Sequence, residues 1–236
     1  MSQDIVFKNS SPASSLIELY SSEGCSSCPP AEEWLNSLES APELWKSIFP
    51  VAFHVDYWDG LGWPDRFAAP AYTQRQRNYA AALGQVSVYT PEFILNGLEW
   101  RRSWFSGQGT PAPDAKKAGS LTVSSRDNKI SAVYAPGASG PLQTLTFNVA
   151  LLGFNVVTDV KSGENGGQKL EHDFIVLGFN TTALTAQADG IFQSAPIEIK
   201  SSTGDKPGAV VAWVSGNNGS ILQVAGGWLP PRVTSR

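Results

Sequence analysis

Leu19-Tyr20-Ser21-Ser22-Glu23-Gly24-Cys25-Ser26-Ser27-Cys28-Pro29-Pro30 is the stretch that decides how this chain is read. The run Leu16-Ile17-Glu18-Leu19-Tyr20 leading into it has the pattern of a short strand. After it, Pro29 and Pro30 suit the first turn of a helix, where backbone amides have no intrahelical partner. Trp34, Leu35 and Leu38 give that helix an apolar stripe. A Cys-x-x-Cys held between a strand and a helix start suits disulfide chemistry. The helix N-terminus directs free amides and partial positive charge at the first cysteine. That favours the thiolate, which is the nucleophile. The second cysteine is spaced to close the disulfide or to resolve a mixed one. Cys25 is therefore the expected nucleophile and Cys28 the resolving thiol. Taken alone, the motif also admits a structural disulfide or half of a metal site.

Working outward, residues 48–55 read as an apolar strand and residues 73–83 as a helix stopped by Gly84. Residues 86–95 read as a strand interrupted by Pro91, followed by an Asn96-Gly97 hairpin turn and a return strand over 98–105. Proline cannot donate to a ladder, so one in a strand that should be central calls for special geometry. A cis Thr90–Pro91 bond is expected, bringing the Thr90 backbone to the cysteines where a substrate peptide could pair with it. In thioredoxin-like folds a cis-proline occupies this place. His54 and Asp56 close the 48–55 strand and lie on one face, at the carboxyl edge where parallel sheets build sites. Asp56 is a candidate proton relay for Cys28, and His54 a candidate stabiliser of the Cys25 thiolate; both also suit purely structural roles. Asp59 reads as a turn cap. Trp58 and Trp63, with Tyr57, form a candidate floor for a bound peptide or ordinary loop packing. Arg75 and Arg77 cannot both face inward on a helix, and Arg75 is the candidate for the thiolate's neighbourhood.

The composition changes near residue 110. Of the eight tryptophans, six precede it, and Gly107-Gln108-Gly109-Thr110-Pro111-Ala112-Pro113 reads as a linker. Beyond it, Leu145, Phe147, Val149 and Leu151 alternate with polar or small residues, and Gly216-Asn217-Asn218-Gly219 reads as a hairpin turn. About seven short strands suggest a small β-sandwich. The expected architecture is an α/β thioredoxin-like domain over residues 1–110, followed by an all-β sandwich-like domain over residues 118–236 packed against the cysteine face. The segment 163–173 is the expected contact, with Glu164 or Asp173 meeting Arg75 or Arg77.

The chain has 236 residues, 42% of them hydrophobic, so a core can form without staples. The formal net charge of −4 argues against nucleic-acid binding, and no apolar run is long enough to span a membrane. Two cysteines three apart are not a disulfide framework. His54 and His172 are the only histidines, so a zinc site closed by four Cys and His ligands would consume all four residues. No cofactor and no metal are assigned. The opening MSQDIVFKNSSPASS lacks the basic start and apolar stretch of a signal peptide.

One family shares these features. Glu18 to Ala31 around the cysteines, His54-Val55-Asp56-Tyr57-Trp58-Asp59, Gly62-Trp63, Arg75-Gln76-Arg77-Asn78-Tyr79 and Val88-Tyr89-Thr90-Pro91 belong to the pattern. So do Gly163-Glu164-Asn165-Gly166-Gly167 and Leu170-Glu171-His172-Asp173. On these residues the chain resembles the thioredoxin-like proteins grouped as domain of unknown function 1223, across both halves. The resemblance implies a thioredoxin-like fold with a β-rich tail and no known substrate. It also implies an exported protein if a leader was removed, a cytoplasmic one if Met1 is the native start. The function expected is thiol–disulfide exchange with protein thiols and disulfides as partners. The alternatives are a Cu(I)-handling protein using the cysteine pair with His54 or His172, unsupported by any methionine-rich stretch, and a binding module whose disulfide is structural.

Overall fold

In this computed structural model the described residues are 4–11, 14–101, 119–126, 129–137 and 144–230. After β1 (Ile5–Asn9), the apolar run before the cysteines forms β2 (Ser15–Ser21), buried at every position. β2 pairs in parallel with β3 (Ile48–His54), from Ser15 opposite Ile48 to Ser21 opposite His54. Its other edge pairs antiparallel with β4 (Glu92–Leu95), which turns into β5 (Leu98–Glu99). Helix α1 (Pro29–Asn36) starts directly after Cys28, with the two prolines in its first turn. Helix α2 (Pro70–Leu83) ends on Gly84 at φ +68°, a left-handed stop that suits a residue without a Cβ. The Thr90–Pro91 bond is cis, as the sequence leads one to expect.

The remaining strands are β6 (Ser120–Arg126), β7 (Lys129–Ala135), β8 (Leu145–Gly153), β9 (Val156–Asp159) and β10 (Lys169–His172). They are followed by β11 (Ile175–Ala186), β12 (Phe192–Ser194), β13 (Ile197–Glu198), β14 (Ala209–Ser215) and β15 (Ile221–Trp228). All except the β9–β10 ribbon join β1 to β5 in one 13-stranded mixed sheet. The join is β11, which runs antiparallel to β8 and meets β3 in parallel through Ile175 opposite Ala52.

This overturns the expected fold class. The chain is mostly sheet with two α-helices, not an α/β thioredoxin-like domain followed by a β-sandwich. The physical reason lies in β2 and β3, which are apolar on both faces and need cover on both. α1 and α2 are too few to provide it. Trp213, Leu152, Val211 and Val224 from the later strands, with Phe174 just before β11, share one buried cluster with Leu16, Leu19, Phe49 and Phe53. A second cluster, with Phe147, Val149, Tyr134 and Leu121, lies wholly among the later strands. The expected linker over 107–113 and the end of the 98–105 strand fall outside the described residues. Among the described residues no helix is long and apolar enough to cross a membrane.

Candidate functional site

Cys25 and Cys28 are joined by a disulfide, with Cα atoms 5.5 Å apart, and both are fully buried. β2 delivers the chain into a tight turn in which Cys25 N donates to Ser22 O and Cys28 N to Cys25 O. Cys28 is the N-cap of α1, and its carbonyl accepts from Ala31 N and Glu32 N. Pro29 and Pro30 remove two of the amides a helix start would otherwise offer. Support for a Cys25 thiolate therefore rests on the helix dipole and on Ser27, whose Oγ lies 3.3 Å from Cys25 Sγ.

Three contacts cover the pair. Trp58 packs on Gly24, where an added Cβ would come within 3.1 Å of the Trp58 Cβ, and its indole donates to Thr90 Oγ1 at 2.8 Å. It thus ties the cysteine turn to the cis-proline. Asn165 Nδ2 donates to the backbone carbonyls of Glu23 and Cys25 at 2.9 and 3.0 Å. Glu164 accepts from Ser26 N at 3.0 Å. Gly163, at φ +74°, lets this turn close on Trp63; its own Cβ would sit 3.1 Å from the Trp63 Cβ.

Linked to the cysteine turn through Glu23 and Glu32 is a buried cluster of three carboxylates and two imidazoles. Glu23 follows β2, and Glu32 sits one turn along α1 from Cys28, on the same face. His54 ends β3, His172 ends β10, and Asp65 lies in the loop before α2. His54 Nδ1 meets Asp65 Oδ2 at 2.6 Å, and Asp65 is held by the backbone amides of Glu23 and Phe67. His172 Nδ1 meets Glu32 Oε2 at 2.5 Å and its Nε2 meets Glu23 Oε1 at 3.2 Å. Ser21 donates to Glu32 Oε1, and Trp63 Nε1 donates to Glu23 Oε2 at 2.7 Å. Phe67 stacks edge-on against both imidazoles.

The charges hold one another. Burial alone would lower the His172 pKa, but Glu32 and Glu23 outweigh it and raise it to about 10. Burial likewise opposes the charged form of His54, while Asp65 and Glu32 raise its pKa. Burial would push both acids up. The histidines instead hold Glu32 below its ordinary value, and His54 holds Asp65 down at about 2.

The structure thus brings together Cys25, Cys28, His54, Trp58, Trp63 and Thr90. It places Asp56 elsewhere: its carboxylate accepts from Thr73 Oγ1 at 2.5 Å, tying the 56–61 turn to α2. Arg75 makes a bidentate pair with Glu18 at 2.7 and 3.0 Å. The expected partners of the arginines turn elsewhere too, Glu164 to the cysteine turn and Asp173 to Asn155 N. Glu23, Glu32 and Asp65 were missed. A signal for one existed, since Glu32 stands four residues after Cys28 on a helix whose other faces are apolar or exposed.

A profile of DUF1223, described as protein of unknown function, matches residues 16–215. Two solved structures are similar. A crystal structure of an Agrobacterium tumefaciens protein is 20% identical with a TM-score of 0.57, covering 97% of this chain and 98% of the other. HBP35 of Porphyromonas gingivalis is 18% identical with a TM-score of 0.63, covering 97% of this chain and 80% of the other. At such identities the likeness carries the fold alone. No curated protein matches the sequence.

Proposed function

Taking as premise that this chain belongs to the DUF1223 family, a family of unknown function, we propose that it catalyses thiol–disulfide exchange through Cys25 and Cys28. The observation that carries the reading is a disulfide closed between adjacent turns of chain at the start of α1, with Thr90 and cis-Pro91 tied to it through Trp58. In the oxidising direction, a substrate thiolate attacks Cys25 Sγ and the Cys25–Cys28 bond breaks. The electron pair leaves on Cys28 sulfur, which takes up a proton. A second substrate thiolate then attacks the substrate sulfur of the mixed disulfide. The substrate leaves with a disulfide, and the protein is left with two thiols. The reverse sequence reduces a substrate disulfide.

Both sulfurs are covered, so exchange requires the 162–167 turn to lift from the cysteine turn. Ser26 and Ser27 are exposed and would meet the substrate first. Reduction of insulin disulfides, driven by dithiothreitol and followed by turbidity, tests the proposal with the full chain. The wild type should accelerate the reaction, Cys25→Ser should abolish the acceleration, and Cys28→Ser should accumulate a mixed disulfide. No acceleration by the wild type, or equal acceleration by Cys25→Ser, refutes it.

A further inference from the structure

We propose that Glu32, His54 and His172 form a binding site for one divalent transition-metal ion of the zinc class, independent of the redox role of the disulfide. The three side chains are buried and offer ligand atoms that all lie within 4.8 Å of one another. They come from three elements, α1, β3 and β10, so the fold rather than local sequence assembles them.

Three observations carry the site further than proximity. The first is His54 Nε2. It belongs to a fully buried side chain, and no hydrogen-bonding group among the described residues reaches it. Glu32 Oε1 lies 3.6 Å from it, beyond hydrogen-bonding range. A buried polar atom left without a partner costs about 1–3 kcal/mol and calls for a reason. A separation of 3.6 Å is too long for a shared proton, yet it suits two ligand atoms placed about 2 Å from a common ion.

The second is the outer shell. Each imidazole has a carboxylate on the nitrogen facing away from Glu32. Asp65 takes His54 Nδ1 at 2.6 Å, and Glu23 takes His172 Nε2 at 3.2 Å. Metal-ligating histidines almost always donate their other ring N–H in this way, which fixes the tautomer and aims the free nitrogen. Here both point inward at the same glutamate, His54 through Nε2 and His172 through Nδ1. Asp65 is in turn held by two backbone amides and Glu23 by the Trp63 indole.

The third is an acidic cavity that shares Glu32 with the site. A cavity of about 420 Å³ between α1 and β10 has Glu32 in its wall, with Glu33, Glu171 and Asp173 around it against the single cation Lys169. An acidic mouth that opens on a ligand carboxylate attracts a cation and repels an anion. Two imidazoles and one carboxylate suit a borderline ion such as Zn²⁺, and three protein ligands leave a coordination position open.

The test uses the full chain with its disulfide intact, so that thiolates cannot contribute. Zn²⁺ alone is added, unbound metal is removed by gel filtration, and bound metal is counted. One equivalent is expected, with a rise in melting temperature. Co²⁺ in its place should give visible d–d bands without a thiolate charge-transfer band. Cys25→Ser/Cys28→Ser should keep the equivalent, and Glu32→Gln should lose it. Asp65→Asn, which keeps every ligand, should weaken affinity about 10–100-fold. It serves as the second variant if Glu32→Gln does not fold. Absence of stoichiometric Zn²⁺ in the oxidised wild type overturns the proposal. So does a thiolate band with Co²⁺, or wild-type affinity in both folded Glu32→Gln and Asp65→Asn.

Discussion

Glu18 on β2 and Glu32 on α1 are both buried carboxylates facing cationic side chains, and their surroundings differ instructively. Around Glu18 every partner is in place. Arg75 grips it through two nitrogens, Tyr79 donates to Oε1 at 2.7 Å and Tyr20 to Oε2 at 3.1 Å. The guanidinium is also enclosed by the rings of Phe53, Tyr79, Phe179 and Trp213. This cluster spends its hydrogen-bonding capacity on pinning α2 to the sheet. Around Glu32 there are two imidazoles, two further carboxylates and one nitrogen without a hydrogen-bond partner among the described residues. The first arrangement is what a structural ion pair needs. The second holds polar capacity in reserve, and it does so beside a cavity, on the helix that Cys28 caps.

Opening the closed cluster around Glu18 should have the largest effect. Arg75→Met removes the cation and leaves Glu18 buried and uncompensated. A loss of about 3–5 kcal/mol of stability is expected, read from urea denaturation at neutral pH. Zn²⁺ stoichiometry in the folded fraction should stay the same. A loss below about 1 kcal/mol would mean the pair behaves like a surface salt bridge and the distinction fails.

Next in size is the cover over the cysteines. Asn165→Ala removes two hydrogen bonds, leaving the Glu23 carbonyl without its donor while Cys25 O keeps the Cys28 amide. The cost should be about 1–3 kcal/mol. Reduction of the disulfide by dithiothreitol should become faster, because the turn over Cys25 lifts more readily. An unchanged or slower reduction rate would show that this turn does not control access.

Tyr79→Phe is milder. It deletes one donor to Glu18 while Arg75 and Tyr20 remain, so about 0.5–1.5 kcal/mol should be lost. The unfolding midpoint measures it, and a loss as large as that of Arg75→Met would show that Glu18 is less well satisfied than its contacts indicate.

The smallest effect concerns a third buried carboxylate, one that makes no ion pair among the described residues. Glu92, beside cis-Pro91, is met by the amides of Gln76 at 2.7 Å and Gln85 at 3.3 Å. Burial raises its pKa above the ordinary glutamate value despite these donors. The folded chain therefore holds this proton more tightly than the unfolded chain does. Its contribution to stability is present below the ordinary glutamate pKa and is lost as pH rises through the folded value. Glu92→Gln should leave stability at pH 4 nearly unchanged and raise it slightly at pH 7. Urea midpoints at the two pH values measure the difference, and a fall at pH 7 would contradict the burial argument.

Much of the local structure was legible. The strand–cysteine–helix run, α2 with its Gly84 stop and the cis bond at Pro91 all follow from short-range signals: apolar runs, proline chemistry and a helix-ending glycine. What was not legible depends on long-range pairing. Nothing near Ala52 or Ile175 announces that their strands meet, yet that junction makes one sheet of what reads as two domains. The site divides the same way. The cysteines and His54 stand out by residue type. Glu23, Glu32 and Asp65 are ordinary acids in the sequence, and only burial reveals them. Arg75 misled because its partner, Glu18, lies in a strand that otherwise reads as apolar; a charge there was the available sign of a buried pair.

Whether Cys25–Cys28 exchanges or merely staples is decided by its reduction potential. The full chain would be equilibrated in glutathione and dithiothreitol buffers of graded potential, and the thiols trapped and counted. An exchanging pair should show a reversible transition, reached from both sides, with a midpoint between about −300 and −120 mV, where exchange catalysts lie. A pair that stays oxidised below about −300 mV would be a structural disulfide, and the proposed function would fall with it.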